Sequence, residues 1–294
     1  MRGDVLITSA TGLVGGEAAI RLIRAGWRAW CVVRSGSYAE AAARLERRFG
    51  ESRTECDWSR LVALPGNITE PLLGLDPRAL GYLRDRCRRV IHCAAETSFA
   101  PGNRCLAVNL AGTENVLRLC AALGRETRLF YTSSAVVCLR PERSVVSEQA
   151  PYGGFSNEYV LSKRRCEDLV RESGVNAVVL RPSIVLSHGL RSPEHARAVL
   201  WVLPVIRALG ALPMTGDERV DVVSVGYVAE AMARIIDRPL THRVLHLSAG
   251  VESSVTWKVI FETLTGAGYA AAPHRHAPII PAHRFLPSPG FLRP

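Results

Sequence analysis

Tyr159 and Lys163 stand four residues apart in Tyr159-Val160-Leu161-Ser162-Lys163, a spacing that puts both on one face of a helix. A free phenol, with a pKa of about 10, is a poor acid–base group at neutral pH. An adjacent ammonium favours the phenolate, so the pair predicts a tyrosine able to protonate a carbonyl oxygen as hydride reaches carbon. Lysine is scarce here. Lys163 and Lys258 are the only lysines among 37 basic residues, and at this position an arginine would not serve equally well. Upstream, Leu129-Phe130-Tyr131-Thr132-Ser133-Ser134-Ala135 reads as a strand ending in small hydroxyl residues. A serine at such a strand end can hydrogen-bond and polarise a substrate carbonyl.

A second stretch suits a phosphate. Thr8-Ser9-Ala10-Thr11-Gly12-Leu13-Val14-Gly15 joins a first strand to a first helix. Glycine there lets the backbone approach a pyrophosphate, and the helix start offers free N–H groups and a positive dipole end. Thr8, Ala10, Thr11, Gly12, Leu13 and Val14 are therefore assigned to a dinucleotide, with Gly15 and Gly16 permitting close helix–strand packing. The next strand, Val32-Val33, runs into Arg34, with no acidic residue before Glu40. A guanidinium suits the 2′-phosphate of NADP, whereas NAD would call for a carboxylate.

The elements that must position these groups alternate. Strands are expected at Val5–Thr8, Ala29–Val33, Arg60–Leu64, Val90–His92, Arg128–Thr132, Ala177–Leu180 and Val244–Leu247. Helices are expected at Leu13–Ala25, Tyr38–Phe49, Cys105–Leu123, Asn157–Glu172 and Tyr227–Ile236. Continuous apolar strands separated by helices predict an α/β fold, a doubly wound parallel sheet of the Rossmann kind. Residues 1–182 and 217–248 are expected to form the nucleotide-binding core. Residues 183–216, with a helix candidate at Arg197–Leu209, and 249–294 are expected to form a small substrate-binding portion. The tail from Pro273 is rich in Pro, His and Arg, and its last residues read as disordered.

Bulk composition excludes several classes. Hydrophobic residues are 48% and charged residues 22% of 294, as in ordinary globular chains. Ala198–Met214, the most apolar stretch, is interrupted by Pro204, Arg207 and Pro213 and is too short to cross a bilayer. The first strand begins almost at Met1, which leaves no room for a signal peptide and predicts a cytoplasmic protein. Eight cysteines include no Cys-x-x-Cys pair, so neither a metal site nor a disulfide framework is expected, and most read as small core residues. The charge of +10 is spread along helices beside glutamates, the texture of a solvated face and not of a nucleic-acid surface.

With these residues in order, the chain resembles the extended short-chain dehydrogenase/reductase superfamily from Val5 to about Leu247. Residues 8–15 resemble its T-G-x-x-G-x-x-G fingerprint, with Ser9 in place of the first glycine. If that position needs positive φ, serine costs about 1 kcal/mol. The resemblance implies a catalytic set of Ser134, Tyr159 and Lys163, with Ser134 preferred to Ser133 because Ala-x-Val follows it. It further implies that Asn109 supports the lysine through water, that Lys163 also holds the cofactor ribose, and that Arg181-Pro182-Ser183 leaves the core beside the nicotinamide.

Within the superfamily, the chain is most similar to the thioester-reductase and fatty acyl-CoA reductase branch. Gly66-Asn67-Ile68-Thr69-Glu70-Pro71 with Leu73-Gly74-Leu75, Ile91-His92-Cys93-Ala94-Ala95 with Ser98-Phe99, and Val220–Val225 resemble its signatures. The resemblance places Asn67, Ile68, Ala94, Ala95 and Pro182 against the cofactor, with Asn67 standing where an aspartate is expected and Gly226 where the branch has another. About 45 residues follow the last core strand, fewer than that branch uses for its substrate lid. His92 and Cys93 read as strand-end core residues near the cofactor.

The expectation is NADPH-dependent reduction of a carbonyl, an acyl thioester on a carrier protein or coenzyme A, or an aldehyde. No nucleic acid, membrane or metal is expected as a partner; a homodimer is admitted. Two alternatives stay open. One is an NAD-dependent nucleotide-sugar epimerase or dehydratase with the same triad; the other is an NADP-sensing regulator without chemistry.

Overall fold

The computed structural model describes residues 2–50, 56–97, 104–139, 145–154, 157–187 and 217–266. Six apolar runs become parallel strands: β1 Gly3–Thr8, β2 Trp27–Val33, β3 Leu61–Pro65, β4 Cys87–His92, β5 Arg128–Thr132 and β6 Asn176–Pro182. After the short β7 (Ile184–Leu186), β8 (Arg219–Val220) and β9 (Val222–Ser224), the strand β10 (Val244–Leu247) completes the main sheet. Its order is β10-β6-β5-β4-β1-β2-β3, and every pairing is parallel. Strand order reverses beside β1, which lies between β2 and β4; ligands of open α/β sheets bind outside the carboxyl ends at such a point.

The helices are α1 Leu13–Arg24, α2 Tyr38–Phe49, α3 Pro77–Arg86, α4 Cys105–Leu123, α5 Glu158–Glu172 and α6 Val225–Ile235. Most begin on a side-chain cap: Ser37 for α2, Asp76 for α3, Asn157 for α5 and Ser224 for α6. Helix α1 differs from these, as does α4, whose N-cap Arg104 makes no side-chain cap bond. Gly12 is the N-cap of α1 and no side chain caps it, which leaves the first-turn N–H groups without intrahelical partners. Leu6, Val32, Leu64, Val90, Leu129 and Tyr131 from the sheet pack with Val116, Leu119 and Leu123 of α4 in one buried cluster.

The strands and helices predicted within the described residues are all present, within three residues at each end. Sequence periodicity missed α3, although Asp76-Pro77 is a cap followed by proline at the first helical position. Neither did it foresee the small ladders β7–β9 and β8–β11 (Val255–Thr256).

The chain divides into two compact units, 1–188 with 223–248 and 189–222 with 249–294. In the second, the described residues form the antiparallel β8–β11 pair, a short α7 (Gly250–Ser253) and α8 (Trp257–Gly266). The Arg197–Leu209 helix candidate, the Ser98-Phe99 signature and the tail from Pro273 lie outside the described residues. Among the described residues no helix is long and apolar enough to cross a membrane. All eight cysteines are free thiols, six of them buried.

Candidate active site

The phosphate loop is built by close approach. Ser9 has φ 63°, so the residue in place of the first fingerprint glycine does adopt the left-handed conformation. That turn puts its carbonyl under α1, where it accepts the Gly12 N–H at 2.9 Å. A Cβ on Gly15 would lie 2.5 Å from the Ser9 carbonyl oxygen, and one on Gly12 would lie 2.6 Å from Ser9 Oγ. Backbone therefore excludes a side chain at Gly15 and the Ser9 side chain crowds one at Gly12, while the uncapped start of α1 lies open beside them. A concavity of bare backbone with free N–H groups fits a pyrophosphate.

Thr8, at the end of β1, organises the neighbouring strand. Its Oγ1 accepts the backbone N–H groups of Cys93 (3.1 Å) and Ala94 (3.0 Å). Its one proton is left for His92 Nδ1 at 2.9 Å, which fixes the imidazole with hydrogen on Nε2, facing Thr113 Oγ1 at 3.5 Å. Burial pushes the His92 pKa down to about 3, with Lys163 adding to the effect, so the ring is neutral. Burial pushes Cys93 up to about 11. Both residues hold the strand end and carry no charge at neutral pH.

Asn157 caps α5 by accepting the Val160 N–H at 2.8 Å, and the first turns of that helix present Tyr159 and Lys163. Tyr159 shares a side-chain hydrogen bond with Ser134. Lys163 is buried; its Nζ donates to the Thr132 carbonyl at 2.8 Å and lies 5.2 Å from the Tyr131 ring centroid and 6.0 Å from that of Tyr159. Desolvation pushes the Tyr159 pKa up to about 12, against the opposing effect of the Ser134 bond. This corrects the expectation that Lys163 pulls the phenol down: the ammonium is anchored on a carbonyl, and burial prevails. Burial also lowers the Lys163 pKa. Ser133, adjacent to Ser134, is buried with no partner for its hydroxyl among the described residues, whereas Ser134 caps the turn Ala135–Cys138.

Asn109 is buried and makes three direct bonds. Its Oδ1 accepts the Glu96 N–H (2.7 Å), and its Nδ2 donates to the Glu96 carbonyl (3.0 Å) and to Ser162 Oγ (2.9 Å). Ser162 in turn donates to the Tyr159 carbonyl at 2.7 Å. Asn109 thus ties the Ala94-Ala95 loop to the turn of α5 that carries the tyrosine.

Arg34 lies exposed at the end of β2, with no hydrogen bond or ion pair from its side chain to the described residues. Asn67 follows β3, and its Oδ1 accepts the Thr69 N–H at 3.2 Å, so the amide serves its own turn. Ile68 packs on Gly112, where a Cβ would lie 2.6 Å from Ile68 Cδ1. A cavity of about 510 Å³ opens between these strand ends, lined by Ser35, Ser37, Tyr38, Gly66, Asn67 and Asp76 among others. Pro182 ends β6 beside Leu247. Every predicted site residue is accordingly on the carboxyl edge of the sheet, or on the loops and helices that flank it.

Sequence reasoning placed Arg181 beside the nicotinamide but missed its buried pairing. Its buried guanidinium makes a two-pronged pair with Glu167 of α5, Nε to Oε1 at 2.9 Å and Nη2 to Oε2 at 2.6 Å. Arg181 Nη1 also donates to Cys138 Sγ at 3.0 Å, so one side chain joins β6, α5 and the turn after Ser134. The signal available was an arginine inside an apolar strand, which needs a buried carboxylate.

The NAD-binding family model described as Male sterility protein matches residues 7–232. The highly reducing polyketide synthase calA of Penicillium decumbens is 27% identical over 266 residues, covering 82% of this chain and 9% of its own length. The isonitrile lipopeptide synthase of Streptomyces coeruleorubidus is 28% identical over 294 residues, covering 94% of this chain and 19% of its own length. The chain therefore spans less than a fifth of either relative. Among solved structures, the terminal R domain from the myxalamid PKS-NRPS biosynthetic pathway superposes with a TM-score of 0.76 at 28% identity. That match covers 91% of this chain and 70% of the other.

Proposed function

The chain belongs to the NAD-binding family described as Male sterility protein, a branch of the extended short-chain dehydrogenases, and from that membership we propose that it is an NADPH-dependent reductase. Its substrate is an acyl thioester, borne by a carrier protein or coenzyme A, or the aldehyde that such a thioester yields. The observation that carries this reading is the hydrogen bond between Ser134 and Tyr159, with Lys163 one turn along α5. Likeness to the terminal R domain of a PKS-NRPS pathway and to an isonitrile lipopeptide synthase supports the thioester class.

Bound NADPH supplies hydride to the carbonyl carbon. The backbone around Gly12 and Gly15 and the start of α1 hold its pyrophosphate, Arg34 takes its 2′-phosphate, and Lys163 holds its ribose. Ser134 donates a hydrogen bond to the carbonyl oxygen. Tyr159 gives that oxygen its proton, and with a pKa near 12 the phenol is fully protonated at neutral pH, as reduction requires. For a thioester the carbon–sulfur bond then breaks, releasing thiol and aldehyde.

The test is turnover of acyl-coenzyme A and aldehydes with NADPH by the wild type and by Tyr159→Phe. The variant is expected to lose about 100-fold or more in turnover while binding NADPH normally. Near-normal turnover would remove Tyr159 from the mechanism.

A further inference from the structure

The end of β2 already holds an anion, and it belongs to the chain itself. Glu40 Oε2 accepts the Gly36 N–H at 3.0 Å. Its Oε1 lies 3.9 Å from Arg44 Nη1, and that same nitrogen donates to the Arg34 carbonyl at 2.6 Å. Ser37 caps α2 by accepting the Glu40 N–H at 3.2 Å. In a capping box the glutamate would return to the N–H of the cap residue, Ser37. Here it reaches one residue further, to Gly36, on the side of α2 that faces the end of β2. The carboxylate is half exposed, and its pairing with Arg44 is long. A contact of that kind is weak and readily exchanged for a doubly charged phosphate.

We infer that Glu40 is a specificity-determining residue, whose carboxylate occupies the anion position formed by the Gly36 N–H and Arg44 beside Arg34 and so opposes binding of a 2′-phosphate. The inference rests on the reading of Arg34 as the 2′-phosphate ligand. NADH brings no charge to this position and does not compete. NADPH must displace the carboxylate or settle beside it, so the chain prefers NADPH less strongly than its arginines alone would allow.

Glu40→Gln separates charge from structure, because the amide oxygen can still accept the Gly36 N–H. Fluorescence titration of the full chain with NADPH and NADH is expected to show NADPH binding about three- to tenfold tighter in Glu40→Gln, with NADH within about twofold of wild type. The gain is expected to shrink as salt is raised, which a purely structural role of Glu40 would not produce. Unchanged or weaker NADPH binding in Glu40→Gln would overturn the inference. Arg34→Met in parallel tests the underlying reading. If it abolishes the NADPH preference while Glu40→Gln changes nothing, the inference fails and the reading stands. If Arg34→Met leaves the preference intact, the reading itself fails.

Discussion

At the scale of single residues, burial decides the chemistry more than neighbouring charge does. Tyr159 is held up to about 12, so the acid form needed for reduction persists as pH rises and is lost only near that value. Reductive turnover should therefore show no Tyr159-dependent loss between about pH 7 and about pH 10. A pH–rate profile showing an alkaline fall near about pH 8 that disappears in Tyr159→Phe would contradict this. Ser9 offers a second check, since its φ of 63° is strained for a residue with a Cβ. Ser9→Gly should relieve about 1 kcal/mol and raise the thermal midpoint by about 2 °C, read by calorimetry. Tyr159 and Lys163 were legible in the sequence because helical spacing is local, and the loop of residues 8–15 because glycines mark it. The raised Tyr159 pKa was not legible, since it depends on what packs over the hydroxyl. The left-handed Leu72 and Leu73 left no trace in residue type either.

At the scale of elements, long-range side-chain bonds fix the helices that carry the site. Arg181 and Glu167 lie fourteen residues apart, in β6 and α5, with side chains 5% and 4% exposed. Arg181→Met leaves a buried carboxylate unpaired and should destabilise by about 3–5 kcal/mol. The double replacement with Glu167→Met should recover most of that loss in a denaturation series; equal instability of the two variants would contradict the pairing account. Asn109 does comparable work with neutral groups, reaching 13 residues to Glu96 and 53 to Ser162. Periodicity finds strands and helices but cannot say which polar side chains meet across them, so both ties escaped sequence reading. The arginines at the opposite edge show the same limit. Composition assigns them to a solvated face, yet Arg89 donates to the Ile236 carbonyl and Arg128 to the Arg238 carbonyl. Those bonds satisfy carbonyls just past the C-terminal end of α6, where cations are favourable.

At the scale of the whole molecule, the parallel sheet and its reversal beside β1 gather every proposed catalytic and cofactor group along one edge of the larger unit. That much followed from alternation of apolar runs, because right-handed crossovers allow few other topologies. Substrate class did not follow from the fold, which serves many chemistries. It rests on the family and on the polar groups at the edge. The most direct measurement is product analysis of an acyl-coenzyme A thioester incubated with the full chain and NADPH carrying deuterium at the transferable position. The account predicts free coenzyme A and an aldehyde, or its alcohol, with deuterium on the former carbonyl carbon, formed by the wild type and reduced about 100-fold or more in Tyr159→Phe. Cofactor binding with no deuterium transferred to either a thioester or an aldehyde would contradict the proposed reductase.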